Sequence, residues 1–155
     1  MKAIHWIVAA ALACSLPAPA SAAVGSPEVV VYRFSGVKDD GNADFVGTAT
    51  VFSCTNFSGV TETLRFVTRH LDGTIRQNDT VPINHLQTTI LVTHGVRAYG
   101  LQFGLATNVV QGTTAIAATS TNILCTAMIL DAANAQFAGV SLRGIRFNPA
   151  PGSQE

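Results

Sequence analysis

The sequence predicts an all-β fold, an antiparallel β-sandwich of about eight or nine short strands carrying one disulfide. Three observations lead there. From Val29 onward apolar residues alternate as in half-buried strands instead of recurring with the turn of a helix. Gly, Asn and Asp punctuate these runs at the short, regular spacing of sandwich proteins. Two well-separated cysteines, Cys54 and Cys125, remain once a removable leader is set aside.

Val29 to Phe34 is a short β-branched and aromatic run, and Phe45 to Cys54 is the second strand. In Val60 to Arg69 the residues Val60, Leu64 and Phe66 fall on one face, with Arg65 and Arg69 on the other. Asp72-Gly73 then supplies a hairpin turn. The return strand, Thr74 to Ile83, is polar until Val81 and carries Pro82, which fits a sheet edge or a strand end. Leu86 to Thr93 follows as a Thr-rich strand, and then Tyr99 to Ala106, Thr113 to Thr119, Ile123 to Leu130 and Val140 to Phe147.

Three of these elements carry a sharper expectation. Ile123 to Leu130 is apolar on both faces apart from Thr126, so it reads as a central strand covered on each side. In Val140 to Phe147 the alternation slips by one residue, which a β-bulge near Arg143-Gly144 absorbs. Tyr99 to Ala106 sets large apolar residues against Gly100, Gln102, Gly104 and Ala106, giving one bulky and one nearly bare strand face. A bare face either packs closely inside or forms a flat binding surface, and Tyr99, Gly100, Gln102 and Gly104 are the candidate binding face. No helix has start and stop signals, although Asp131 to Gln136 suits a single turn.

The first 22 residues read as a signal peptide. Lys2 precedes an apolar stretch from Ala3 to Leu16, and Ala20-Ser21-Ala22 supplies the small residues of a cleavage site, so the mature chain begins at Ala23. Residues 23–155 then form one sandwich domain with a short polar tail. No later stretch is apolar and long enough to span a bilayer, and Arg65, Arg69, Arg143 and the Thr-rich faces interrupt the lipid band that a transmembrane barrel needs. The competing reading of the leader is lipoprotein anchoring through Cys14, against which Ala11 stands where Leu is usual. The expected location is periplasmic or extracellular, where Cys54 and Cys125 pair as a disulfide.

Of 155 residues, 48% are hydrophobic and 12% charged, which excludes disorder. Nine basic residues balance nine acidic ones, which leaves no overall attraction to nucleic acid or an anionic membrane.

The block from Leu64 to Thr89, with its strand, the Asp72-Gly73 turn, Val81-Pro82-Ile83 and Thr88, is similar to a module of small bacterial β-sandwich proteins that include the sensory rhodopsin transducer group. That resemblance implies the fold and carries over no functional residue. Export and the two cysteines depart from that group. As a whole the chain resembles the uncharacterised small secreted proteins of Gram-negative bacteria.

No catalytic motif is present. His70, His85 and His94 show no metal-ligand spacing on one element, and no metal or cofactor is expected. They read as turn and strand histidines bonded to nearby backbone. Asp40, Asn42 and Asp44 resemble the start of a calcium loop, but Phe45 and Val51 occupy the positions of its glycine and bidentate glutamate, leaving a solvated connection. The serines offer no nucleophile elbow, and Glu28 and Glu62 sit in no acid/base motif. Asn56-Phe57-Ser58 and Asn78-Asp79-Thr80 are glycosylation sequons by letter only. The expected function is a non-catalytic binding or assembly module of the cell envelope, with an unknown protein or small apolar ligand as partner and self-association open. The rival class is a secreted hydrolytic or metal-dependent enzyme whose site is assembled only by folding.

Overall fold

A computed structural model describes residues 28–41, 43–105, 109–136 and 138–147. It contains ten strands and, among the described residues, no helix. The strands are β1 (Val29–Val37), β2 (Thr48–Asn56), β3 (Glu62–His70), β4 (Ile75–Ile83), β5 (Thr88–Val92), β6 (Phe103–Gly104), β7 (Gly112–Ala118), β8 (Ile123–Asp131), β9 (Gly139–Leu142) and β10 (Gly144–Arg146). One five-stranded sheet has the order β10-β1-β7-β3-β4 and the other β6-β5-β2-β8-β9. All pairings are antiparallel except the short β5–β6 contact. The all-β sandwich read from the periodicity is the fold.

The layers meet through the inward phase of each strand. Phe34 from β1 and Phe66 from β3 flank Phe52 from the opposing sheet, with ring centroids 5.7 and 5.9 Å apart, and all three are fully buried. Such offset aromatic contacts add to the area that the rings remove from water. Leu64, Ile83, Leu91, Ile116 and Ile123 complete this core. Thr68 and Thr114, both inward, hydrogen-bond each other across β3 and β7 at 2.9 Å, so neither hydroxyl is left unsatisfied in the interior.

Cys54 and Cys125 are joined as expected. They stand opposite each other on the central strands β2 and β8 with Cα atoms 4.2 Å apart, the closer kind of antiparallel pair. Both are buried on the inward face.

A second, smaller cluster lies on the far side of the β2 sheet. Ala49, Val51, Val92 and Leu130 are covered there by Val96, Ala98 and Tyr99 from the loop after β5. This corrects the expectation for Ile123 to Leu130. The strand is central, but only its C-terminal half is covered on both faces; Leu124 and Thr126 at the other end are exposed.

Other boundaries shift for local reasons. Phe45 and Gly47 adopt left-handed conformations, so β2 begins at Thr48 instead of Phe45. Leu86 is left-handed too and exposed in the turn before β5, which starts at Thr88. Val60 precedes β3, and Glu62 holds the first inward position, its carboxylate accepting from the Thr119 hydroxyl. As Pro82 suggested, β4 is a sheet edge, paired only with β3. The hairpin turn has Gly73 at φ 84°, a conformation that favours glycine.

The largest correction concerns Val140 to Phe147. Instead of one bulged strand, β9 pairs with β8 and β10 pairs with β1, so the chain crosses from one sheet to the other at Arg143. The slip in alternation is the change of layer. Gly144 permits it by passing over the Phe34 ring, where an added Cβ would sit 2.4 Å from Phe34 Cε1.

Candidate functional site

Of Tyr99, Gly100, Gln102 and Gly104, only Gly104 lies in a strand. The expected strand Tyr99 to Ala106 is reduced to Phe103–Gly104, because Gln102 uses its side-chain amide as a substitute backbone. Its Nε2 donates to Val96 O at 2.9 Å and its Oε1 accepts from Val96 N at 3.1 Å, closing residues 96–102 into a loop. Tyr99 is half-buried against the second cluster. Gly100 and Gly104 face open space, since a Cβ added to either meets nothing within 4 Å. Leu101 and Phe103, on the bulky side of that pattern, are exposed as well. Ala106 lies outside the described residues.

The histidines do not converge. His70 Nδ1 is 3.5 Å from the Asp72 carboxylate beside the β3–β4 turn, and His85 Nδ1 accepts from the Gly59 amide at 3.1 Å. His94 Nδ1 lies 2.8 Å from Asp39 Oδ1, and Asp39 is buried. This last pair ties the end of β1 to the end of β5. His94 Nε2 is buried with no hydrogen-bond partner among the described residues. No group of three or more metal-capable side chains gathers among those residues.

The acidic loop is an ordered clasp, not a solvated connection throughout. Asp39 holds His94, Asp40 accepts from the Thr48 amide and pairs with Lys38 at 2.8 Å, and Asp44 accepts from the Gly95 amide at 2.6 Å. The Lys38 ammonium, followed by the Thr48 amide, holds the Asp40 carboxyl below its ordinary range. Asp72 is lowered by the Thr74 hydroxyl and then the Thr74 amide, which stabilise the turn. Asn42 lies outside the described residues. Of the two sequons, Asn56 is fully buried, and its amide donates to Val60 O and Ile83 O, so it is closed to modification in the folded protein.

A concavity lies elsewhere, on the outer face of the β1 sheet. A groove of about 560 Å³ is lined by Arg33 and Ser35 of β1, Val67 and Arg69 of β3, Thr113 and Ala115 of β7, Ile145 of β10 and Arg143 at the crossing. Its shape follows from side-chain size. The outward positions of β7 at the groove are Thr113 and Ala115, short side chains between the longer ones of β1 and β3. Three guanidinium groups border the groove and no carboxylate lines it. Arg33 lies over the Phe147 ring at 5.5 Å, and Arg69 donates to Gly73 O at 2.9 Å. On the same face Arg65 differs, because it is paired with Glu28.

A depression of about 400 Å³ beside the crossing is bordered by Tyr32, Met128, Ser141 and Gly144, with no carboxylate, histidine or arginine. In the sequence Arg69 falls on an outward strand face and Arg143 marks a phase slip, while Arg33, Ala115 and Ile145 singly carry no signal of a site. The available signal was the coincidence of outward arginines with a strand of small outward residues, which becomes a site only once β7 is known to lie between β1 and β3.

No family model, curated protein or solved structure matches the chain.

Proposed function

We propose that this chain is an exported, non-catalytic binding module of the cell envelope whose sandwich is a rigid platform for a surface site. The observation that carries the reading is the groove on the β1 sheet, where three arginines border an apolar floor. Its volume of about 560 Å³ is in the range typical of small-ligand sites. Two of the histidines are engaged at strand ends, His85 by the Gly59 amide and His94 through Nδ1 by Asp39.

Export is supported by the buried disulfide, which forms and persists in oxidising compartments. Among the described residues no helix is long and apolar enough to cross a membrane. The leader itself lies outside the described residues. Intact mass of the exported protein tests this part: a chain starting at Ala23 is expected, and diacylglyceryl-modified Cys14 would contradict it.

The rival enzyme reading has one observation in its favour, the unpartnered His94 Nε2 oriented by Asp39. Two assays on the mature domain separate the readings. In thermal-shift screening against chemically diverse small molecules, ligands that stabilise the wild type and fail with Ala115→Trp support the binding module, because the indole fills the groove. Turnover of ester, phosphoester, glycoside or peptide substrates that disappears in His94→Gln would instead establish an enzyme.

A further inference from the structure

The groove has two chemical halves. Pairing puts Ile145, Arg33, Ala115 and Val67 in one row across four strands, since Arg33 pairs with both Ile145 and Ala115 and Ala115 pairs with Val67. At about 4.8 Å between strands the row is roughly 14 Å long. Three of its four members are apolar, and the short Ala115 side chain leaves the floor open. Along the neighbouring row Ser35 pairs with Thr113 and Thr113 with Arg69.

The charge on this face is unevenly compensated. Glu28 neutralises Arg65 at one end. Among the described residues, by contrast, the side chains of Arg33 and Arg143 form no ion pair or hydrogen bond, Arg33 lying over the Phe147 ring, and the Arg69 guanidinium donates to a backbone carbonyl and pairs with no carboxylate. Guanidinium groups arranged in this way attract oxygen anions, to which their planar N–H forks can bond in bidentate fashion. Val67, Ala115 and Ile145 gain from covering by hydrocarbon, which an inorganic anion cannot supply.

We infer that the groove binds a small single-chain amphiphile with an anionic oxygen head group, a carboxylate or phosphate monoester, on an apolar body. Arg33, Arg69 and Arg143 take the head, and the body lies on Val67, Ala115 and Ile145. The groove is too short, and the chain as a whole too evenly charged, for a polyanion whose binding depends on many phosphate contacts. This inference rests on the binding-module reading and specifies its ligand.

Calorimetric titration of the oxidised mature domain with octyl phosphate, octanoate, 1-octanol and inorganic phosphate tests it. Both octyl anions are expected to bind, with octanol and inorganic phosphate each at least about tenfold weaker, because each lacks one half of the recognition. Arg33→Gln with Arg143→Gln is expected to weaken octyl phosphate by at least about tenfold, with melting temperature unchanged to show an intact fold. Raising salt should weaken the wild-type interaction and have less effect on the double variant. Octanol binding as tightly as octyl phosphate, and unaffected by the arginine changes, would overturn the anionic head while leaving a binding groove. Equal affinity for inorganic phosphate would overturn the apolar body. Failure of all four probes would overturn this ligand class, whereas the diverse screen with Ala115→Trp separately decides whether the groove binds anything.

Discussion

Opening the Cys54–Cys125 bridge by Cys54→Ala with Cys125→Ala is expected to destabilise the domain by about 4–6 kcal/mol. The larger part comes from the unfolded chain. The bridge joins residues separated by 71 positions, and closing a loop of that length removes about 4 kcal/mol of chain entropy at 25 °C. The folded side changes less, because β2 and β8 stay paired from Thr48 opposite Asp131 to Asn56 opposite Ile123. Loss of two buried sulfur atoms adds on the order of 1 kcal/mol of lost packing. The only tryptophan, Trp6, precedes the expected cleavage site, so urea unfolding is best followed by far-ultraviolet circular dichroism. The variant should unfold at lower urea and with a steeper dependence, since its unfolded state is freer to expand. Wild type treated with reductant should move toward the variant. A loss below about 1 kcal/mol would refute the loop-closure reasoning, and two reactive thiols in unfolded, unreduced protein would refute the bond itself.

Two glycine substitutions should separate open space from close packing. Gly104→Val should leave the melting temperature within about 2 °C, because its Cβ meets nothing within 4 Å, while Gly144→Ala should cost about 1–3 kcal/mol because the new methyl collides with buried Phe34. In urea unfolding, Asp39→Ala should cost about 1–3 kcal/mol by leaving His94 without its partner in a buried site. Asp40 has a folded pKa below its ordinary 3.8, so its contribution is present above that value and is lost as pH falls through the lower folded value. Asp40→Asn should therefore reduce the acid sensitivity of unfolding below about pH 4, by about 0.5 kcal/mol or less because its pair with Lys38 is largely exposed and screened.

Where alternation and turn chemistry coincided, the fold was legible. Leu64 and Phe66 point inward and Arg65 and Arg69 outward as their order implies, Pro82 marks an edge, and the cysteine pair bridges two central strands. The failures arose where a side chain or a layer change overrode the local pattern. Gln102 closes a loop through Val96 where alternation alone described a strand, and Tyr99 packs on the outer cluster. At Arg143-Gly144 a phase slip has the same sequence signature whether the strand bulges or crosses to the other sheet. The pairing of β9 with β8 and of β10 with β1 distinguishes the two. Leu86 and Phe45 take positive φ without a glycine to announce it.

The groove was the least legible feature, because sheet order creates it. Arg33, Arg69 and Arg143 come from distant parts of the sequence, and the near-zero formal charge of the chain conceals their proximity. They share a face because β7 inserts between β1 and β3 and because β10 leaves the opposite sheet to pair with β1. The crossing therefore closes one side of the sandwich and also brings Arg143 and Ile145 to the groove.

The most direct test of a binding module centred on this groove is a titration of the ¹⁵N-labelled mature domain with octyl phosphate, followed residue by residue through its amide resonances. Saturable shifts concentrated at Arg33, Val67, Ala115 and Ile145, and absent around His94 and Gly104, are predicted. Saturable shifts centred on Asp39 and His94, or no saturable shift at the groove, would contradict the account.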